Sequence, residues 1–375
     1  MRKWIVNRRL RKRRVIHILT ALHEQDLFVL QEHHTRAQLL ELRRTSQFYC
    51  PDCKDQVILK VGTIKIPHFA HLHHSSCEQS HEPETLLHLL GKSRLYSFLQ
   101  QQQLSPLLEP YLPDIKQRAD LLVANDALEF QCSTLTAELV SKRSSGYRSA
   151  QLEPIWIRGT QAIPHSGPGI FQIRRFEQEM FLGDGDMPYL LSFHPEKTLF
   201  IYFSNLFYLQ GNRWVGKASI LDMAHQTYPF AIPKRLGKSE YELVAAVFRL
   251  ERNKFIRSQL FAKNRMRNAF WRLTYELHID KQAVPDIFGL PLPGGHWIAE
   301  HALIWQMKAA VIIQSGKPVK DLLEKEGIRL SSACERERVY RLLKLYESIY
   351  LARKDAPYAE VVDISYQALA KAWEN

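Results

Sequence analysis

The segment between residues 84 and 158 most constrains the fold, because the period of its apolar residues changes several times. Leucines at helical spacing are followed by short apolar runs, then by a second helical pattern and a last apolar run. This order of helix, three strands, helix and strand predicts a mixed α/β core. The predicted elements are a helix at 86–98, strands at 107–109, 121–123 and 128–132, a helix at 136–147 and a strand at 153–158.

Two acidic residues stand on the hairpin predicted for the second and third strands. Asp120 precedes the first of these strands, and Glu129 lies on the other. Gln131 shares the face of Glu129, because successive side chains of a strand alternate between its faces. Carboxylates on neighbouring strands are suitable ligands for a hard divalent cation such as Mg²⁺ or Mn²⁺. Such a cation polarises a phosphoryl oxygen and activates a water, so the hairpin predicts a catalytic metal site.

The first predicted helix carries a polar stripe. Glu84, His88 and Lys92 are four residues apart and line one helix face. Alone, this stripe is typical of a solvated helix surface. Followed by Asp120 and then Glu129, it has the order of the PD-(D/E)xK nucleases, and it predicts their restriction-endonuclease-like αβββαβ core.

One position departs from the usual pattern of those nucleases. Most of them carry lysine where this chain has Gln131. Glutamine can orient a water molecule but supplies no positive charge at the transition state. Lys92 on the first helix and Lys142 on the second are candidates to supply that charge. The alternative is a site that binds metal and DNA with little cleavage.

A second constellation precedes this core. Cys50 and Cys53 form a CxxC pair, which predicted strands at 57–60 and 63–66 separate from a pair of histidines. Two thiolates and two imidazoles are the ligands of a closed, structural zinc site. The histidine spacing is one residue tighter than usual, which leaves the fourth ligand open. The candidates beside the two cysteines are His68, His71, Cys77 and His81. A redox CxxC is the alternative, but no βαβ pattern surrounds the pair.

Charge and cysteine usage narrow the functional classes. Lys and Arg number 51 against 39 Asp and Glu, a net charge of +12 that favours phosphate-bearing partners such as nucleic acid. Five cysteines are too few for a disulfide framework, so we expect a reducing compartment, the cytoplasm. The sequence lacks an apolar run long enough to span a membrane. It also lacks a P-loop, which argues against an ATP site.

The first fourteen residues contain eight basic residues and no acidic one. Blocks of like charge are typical of disordered arms that touch nucleic acid. The alternative is an upstream extension from a misplaced start codon, so it stays open whether residues 1–14 belong to the native protein.

Several motifs together resemble the competence protein CoiA family. They are FYCPDC, KIPHFAH, HEPETLLHLLGK, LPDIKQRADLL, LEFQCS and GYRSAQLEPIWI. The family joins a zinc-finger-like segment to a nuclease-like domain and acts in natural transformation, where incoming single-stranded DNA is processed for recombination. The resemblance implies a nuclease core of Asp120, Glu129 and Gln131 supported by Glu84. It also implies that His88, Lys92, Arg118 and Tyr147 lie near that core.

The resemblance leaves the activity open. The chain is expected to be a Mg²⁺- or Mn²⁺-dependent deoxyribonuclease of competence. The alternative is a non-catalytic adaptor that uses a degenerate nuclease fold to pass DNA to the recombinase. A third hypothesis is a repair or defence endonuclease unrelated to DNA uptake.

The remaining chain divides into a β-rich aromatic part and a helical part. Eight basic residues lie between Arg249 and Arg272 and alternate with aromatic ones, a pattern that suits single-stranded DNA. The alternative is an amphipathic helix with its aromatics in the core. The candidate DNA contacts are Arg249, Arg252, Lys254, Arg257, Lys263, Arg265 and Arg267. The expected domains are 1–14 (extension), 15–80 (zinc-finger-like), 81–160 (nuclease-like), 161–235 (β-rich) and 236–375 (helical).

Overall fold

A computed structural model of the 375-residue chain describes residues 17–63, 65–71, 85–183, 187–324, 327–331, 336–353 and 356–374. The predicted extension at 1–14, Glu84, Cys77 and His81 lie outside the described residues. The chain separates into two compact units. The first comprises Met1–Thr134, Ser141–Gln161 and Phe193–Thr198, and the second comprises Leu135–Val140, Ala162–Ser192 and Leu199–Asn375.

The first unit begins with a six-stranded sheet in the order β1-β6-β5-β4-β2-β3. Phe48 and Phe69 meet in its core with their ring centroids 4.9 Å apart, and Leu39 of the helix between the third and fourth strands along the chain is buried there too. The strands are β1 (His17–Ile18), β2 (Thr20–His23), β3 (Asp26–Val29), β4 (Phe48–Tyr49), β5 (Gln56–Lys60) and β6 (His68–His71), with α1 at Arg36–Thr45.

The prediction of a strand at 63–66 is wrong, because the strand after β5 is His68–His71. β5 pairs with β6, so that Lys60 lies opposite His68 and Val57 opposite His71. Both histidines are therefore on a strand rather than after one. Residues three apart on a strand point to opposite faces, which separates the two imidazoles.

The nuclease-like part of the first unit has the predicted order of elements. The elements are α2 (Leu86–Gln101), β7 (Leu107–Leu108), β8 (Tyr111–Leu112), β9 (Gln117–Arg118), β10 (Leu121–Val123), β11 (Asp126–Gln131), α3 (Ala137–Ser149) and β12 (Glu153–Gly159). Four of them form a sheet in the order β7-β10-β11-β12, while β8 and β9 pair separately. β10 runs antiparallel to both β7 and β11, whereas β12 runs parallel to β11. The β10–β11 turn is Ala124–Asn125, so β11 begins two residues before the strand predicted at 128–132.

The second unit combines strands with helices. β15 and β16 form a long hairpin that turns at Gly211, whose φ of 58° favours glycine. The strands lie in the order β13-β16-β15-β14. The elements are β13 (Gly167–Gln172), α4 (Arg175–Gln178), β14 (Leu190–His194), β15 (Leu199–Gln210), β16 (Arg213–Asp222), α5 (Lys238–Leu260), α6 (Ala269–Glu276), α7 (Ala302–Gln314), α8 (Asp321–Glu324), α9 (Arg336–Arg353) and α10 (Tyr358–Glu374).

The helices α5 to α10 enclose the largest apolar core of the described chain. Phe248 of α5, Phe270 of α6 and Trp305 of α7 are buried in it. Tyr346 of α9 and Leu369 of α10 complete the same cluster. The region predicted to be helical is therefore helical. None of the helices in the described ranges has both the length and the apolar character that a bilayer span requires.

Candidate functional site

Asp120 and Glu129 stand at the same end of the β10–β11 hairpin. Leu121 pairs with Leu128 in the antiparallel ladder, and each acidic residue is the chain neighbour of one member of this pair. The side chain of Asp120 contacts α2, whereas that of Glu129 contacts α3. The negative charge of Asp120 raises the pKa of Glu129, which is the electrostatic consequence of this proximity.

Asp120 is held by groups from α2 and β11. His88 Nε2 donates to Asp120 Oδ2 at 3.1 Å, and the Phe130 backbone N–H donates to the same oxygen at 2.8 Å. Lys92 Nζ lies 3.8 Å from Asp120 Oδ1. Burial alone would raise the pKa of Asp120, but His88, Lys92 and the Phe130 N–H hold it well below its usual range. The carboxyl group of Asp120 is therefore ionised across the physiological pH range.

Glu129 has a different environment, supplied by α3. Arg143 Nη2 and the Tyr147 hydroxyl both contact Glu129 Oε1. Burial raises the pKa of Glu129, and together with the charge of Asp120 it outweighs the lowering by Arg143. The two carboxyl groups thus shift in opposite directions. Such divergence is typical of sites that use two acidic groups in different roles.

A third buried carboxylate, Glu109, lies next to this pair. Lys92 Nζ is 2.5 Å from Glu109 Oε1. Glu109 also accepts from the Leu19 backbone N–H at 3.1 Å and from Thr20 Oγ1 at 2.8 Å. Burial would raise the pKa of Glu109, but Lys92 and Thr20 lower it below its ordinary value. Glu109 therefore ties the N-terminal sheet to α2.

Arg118 forms the second tie to the N-terminal sheet. Its guanidinium contacts the Asp52 carboxylate, between Cys50 and Cys53, and the Glu109 carbonyl. The Arg118 carbonyl accepts from Arg143 Nη2 at 2.9 Å. Asp52, which lies between the two cysteines, thus connects through Arg118 and Arg143 to Glu129.

In the structure, neither Gln131 nor Lys142, two other predicted site residues, forms a hydrogen bond or ion pair with Asp120 or Glu129 among the described residues. The Gln131 side-chain amide donates to Ser133 Oγ at 2.7 Å and to the Ser133 carbonyl at 3.0 Å. Lys142 is exposed on α3. Arg143, its neighbour, makes the contact with Glu129.

The cysteine pair forms a compact group with one histidine. Ligand atoms of Cys50, Cys53 and His71 all lie within 4.8 Å of one another. Cys53 Sγ is 3.3 Å from His71 Nε2. Two thiolates and one imidazole fit a metal such as zinc, which binds four such ligands in structural sites. The group could hold that metal with one further ligand.

His68 does not belong to this group. It points to the other face of β6, where it is buried and its Nδ1 lies 2.9 Å from the Ile66 carbonyl oxygen. Burial lowers the pKa of His68 and so keeps it neutral. Of the ligands considered from the sequence, Cys77 and His81 lie outside the described residues.

The basic residues of the second unit fall into two sets. Arg249 makes a bidentate pair with Asp286 at 2.9 and 2.7 Å, and Lys254 pairs with Glu251 at 2.7 Å. Arg252 is buried and donates to the carbonyls of residues 284, 285 and 288. Arg252 therefore organises a loop rather than facing a ligand. The second set, which lies at the end of α5 and beyond it, is exposed and consists of Arg257, Lys263, Arg265 and Arg267.

Sequence reasoning did not assign Arg143, Glu109 or Asp52 to the site. Arg143 stands one helical turn before Tyr147, so the i, i+4 spacing was a signal for it. Glu109 gave no such signal, because two of its partners, Leu19 and Thr20, lie about 90 residues earlier in the chain.

The comparisons with known proteins agree with the motifs. Residues 31–80 match the family model "Competence protein CoiA, N-terminal domain", and residues 84–234 match "Competence protein CoiA, nuclease-like domain". The competence protein CoiA of Bacillus subtilis (strain 168) is 33% identical over 178 residues, which cover 46% of this chain and 48% of that relative. The aligned part thus spans about half the length of the relative. No solved structure matches the chain significantly. With both domain models matched in order, the chain belongs to the competence protein CoiA family.

Proposed function

We propose that this chain is a metal-dependent deoxyribonuclease that processes incoming single-stranded DNA during natural transformation. The observation that supports the proposal is the neighbouring carboxyl groups of Asp120 and Glu129, which flank the Leu121–Leu128 pair of the β10–β11 ladder; the charge of Asp120 raises the pKa of Glu129. The order α2, β7, β10, β11, α3, β12 supports a PD-(D/E)xK core. Glu84 would assist from the start of α2. DNA as the substrate class agrees with the nuclease-like match and the net charge of +12.

The carboxyl groups of Asp120 and Glu129 would hold a hard divalent cation, because both supply oxygen ligands at the same end of the hairpin. When bound, Mg²⁺ or Mn²⁺ would polarise the phosphoryl oxygen and lower the pKa of a water. His88 keeps Asp120 oriented, and Tyr147 with Arg143 orients Glu129. Gln131 would orient the water, and Lys92, beside Asp120, would supply the positive charge that Gln131 lacks.

The Cys50, Cys53 and His71 group would hold a structural zinc ion. Its contribution would be to fix the turn that presents Asp52 to Arg118. The recombinase and other DNA-processing proteins of competence are the proposed partners, and the cytoplasm is the proposed location.

One observation favours a second function, a non-catalytic DNA-binding adaptor. Lys92 is engaged with Glu109 at 2.5 Å, and Arg143 and Tyr147 both contact Glu129. A site whose acidic groups are satisfied by its own cations can retain the fold without cleaving DNA. This function predicts that DNA binding survives the loss of Asp120 and Glu129.

A cleavage assay separates the two functions. Labelled single- and double-stranded oligonucleotides are incubated with Mg²⁺ or Mn²⁺ and the wild type, Asp120→Asn or Glu129→Gln. Both variants keep the side-chain shape but remove a charge that a cation needs. We expect each to reduce cleavage of single-stranded DNA by at least about a hundredfold. Glu153→Gln is the matched control, because Glu153 is an exposed acidic residue of β12 in the same sheet.

The outcome is decisive in either direction. Cleavage by the wild type and by Glu153→Gln, and its loss in the other two variants, supports the nuclease. Wild-type protein that binds DNA but cuts no substrate with either metal contradicts the nuclease and supports the adaptor.

A further inference from the structure

The connection between α5 and α6 exposes large apolar side chains to solvent. We call residues 257–275 the α5–α6 tip. Phe261, Met266 and Tyr275 are 85%, 91% and 84% exposed, the highest values for large apolar residues in the described chain. Single exposed apolar residues are common, but here the three most exposed large ones of the described chain lie within one short segment.

The same segment carries only positive charge. It contains five basic residues and no acidic one. All five are exposed: Arg257, Lys263, Arg265, Arg267 and Arg272. Glu276, just after the segment, lies 3.7 Å from Arg272. An exposed surface of this charge is complementary to a chain of phosphates.

Hydrogen bonds between α5 and α6 hold the tip in place. Trp271 Nε1 donates to the Gln259 carbonyl at 2.9 Å, which ties α6 to the end of α5. Asn268 caps α6 and donates to Gln259 Oε1 at 2.9 Å. The exposure of Phe261 and Met266 is therefore a feature of a fixed connection.

Cations lie next to the aromatic surface of the tip. The Arg265 guanidinium is 4.7 Å from the centroid of the Trp271 ring, and Lys281 Nζ is 5.0 Å from it. Tyr275 stands one helical turn after Trp271 on α6. Rings and cations thus alternate over a short distance, as base-stacking and phosphate contacts require.

A membrane surface is a poorer fit. Helices that lie on bilayers insert a continuous apolar face. The apolar side of α6, formed by Phe270, Leu273 and Leu277, is buried in the core of the second unit. The apolar side chains that remain exposed, Phe261, Met266 and Tyr275, are separated by basic residues along the chain.

We propose that the α5–α6 tip is a binding site for single-stranded DNA. Phe261 and Tyr275 stack on unpaired bases, while Lys263, Arg265 and Arg267 contact phosphates. The inference goes beyond the proposed nuclease, because the tip lies outside the nuclease-like match at residues 84–234. It narrows the predicted DNA contacts to those that lie within the tip, which are Arg257, Lys263, Arg265 and Arg267.

Fluorescence anisotropy with labelled oligo(dT) of about 15 nucleotides tests the site in the full-length chain, without added divalent metal. The double variant Phe261→Ala/Tyr275→Ala is expected to bind about tenfold or more weakly, because each stacked base contributes substantially to affinity. Arg265→Gln/Arg267→Gln is expected to reduce the salt dependence of binding by about 1.4 in log–log slope. Ile232→Ala/Leu351→Ala is the matched control, since both residues are exposed and apolar but lie outside the tip.

Photo-crosslinking locates the contact independently of affinity. Oligonucleotides that carry 5-iodouracil are expected to crosslink to peptides containing Phe261 or Tyr275. The proposal is overturned if no such peptide is found, or if the aromatic variant binds oligo(dT) within about twofold of the wild type. Equal weakening for a blunt duplex also overturns it, because paired bases offer no ring to stack on. If the variant loses only its binding to vesicles of anionic phospholipid, the partner is a lipid surface instead.

Because neither binding test uses cleavage or a divalent metal, the tip and the nuclease site can fail separately. A chain that binds oligo(dT) through the tip but never cuts DNA retains this proposal and loses the other.

Discussion

At the scale of single residues, burial controls which groups can titrate. His301 caps α7 by accepting from the Leu303 backbone N–H at 3.1 Å and stacks on Phe255 at 3.7 Å between ring centroids. Burial lowers the pKa of His301 to about 3, and the nearby Arg252 adds to the shift. Burial likewise lowers the pKa of His296 to about 4. Both imidazoles therefore stay neutral in the folded chain at pH values where the unfolded chain protonates them.

We predict that the stability of the second unit falls as the pH falls below about 6.5. The unfolded state then binds protons that the folded His301 and His296 cannot bind, so the free energy of unfolding decreases until the pH reaches the folded values. Between pH 7 and pH 5, each histidine contributes a loss of about 2 kcal/mol. Urea unfolding at both pH values, followed by hydrogen exchange of α7, measures the loss.

His301→Asn is the informative variant, because asparagine retains the cap but does not titrate. It should reduce the pH-dependent loss by about half, whatever its effect on stability at pH 7. A variant that keeps the full wild-type dependence would contradict the assignment.

The same scale shows what the sequence could and could not predict. That Asp120 and Glu129 share a site stays a prediction, because strand alternation relates Glu129 to Gln131 on β11 but does not fix the direction of Asp120, which precedes β10. The sequence could not decide whether His68 is a metal ligand, because two histidines at this spacing are compatible with a metal site whether or not they lie on a strand. Only the pairing of β6 with β5 showed that the two point apart. Glu109 and Asp52 depend on contacts between distant parts of the chain, which periodicity does not report.

At the scale of secondary-structure elements, α2 packs very closely on β11. A Cβ built on Gly91 of α2 would lie 1.9 Å from Cε1 of the Phe130 ring. Only glycine allows this approach. His88 and Lys92 lie on the same helix, so the close packing helps to place both beside Asp120.

We predict that Gly91→Ala lowers the free energy of unfolding of the first unit by about 1–3 kcal/mol. Alanine normally stabilises a helix interior by up to about 1 kcal/mol, but here the methyl group overpacks the core. Thermal unfolding measures the change. Gly295→Ala is the control, because a Cβ at that position meets nothing within 4 Å. A stabilised Gly91→Ala protein would show that the contact is not tight.

The order of elements was predictable because each has a distinct apolar period, and α2, β10, β11, α3 and β12 lie close to their predicted places. The boundaries of the elements were less predictable. A strand was predicted at 63–66 because the apolar residues there alternate with polar ones. In the structure the strand that pairs with β5 is His68–His71. Propensity sets the kind of element, but the partner strand sets its register.

At the scale of the whole molecule, a series of contacts within the first unit connects the Cys50, Cys53 and His71 group to Glu129. Asp52 contacts Arg118, whose carbonyl accepts from Arg143, which in turn contacts Glu129. A disturbance at Cys53 should therefore be transmitted beyond the N-terminal sheet.

We predict that Cys53→Ser, which removes a soft ligand of the cluster, increases hydrogen exchange in residues 48–60 and also in residues 109–120. Bound metal measured by mass spectrometry should fall in parallel. Cys132→Ser is the control, because Cys132 is not a member of the three-residue cluster. If exchange increases only at 48–60, the contact of Asp52 with Arg118 does not transmit the change.

The central claim is that Asp120 and Glu129 together bind a divalent cation. Anomalous diffraction from crystals soaked in Mn²⁺ tests it most directly. The account predicts one manganese peak within about 2.0–2.5 Å of a carboxylate oxygen of each residue, and no such peak in Asp120→Asn crystals. Manganese bound elsewhere, with Arg143 still on Glu129 and His88 still on Asp120, would contradict it.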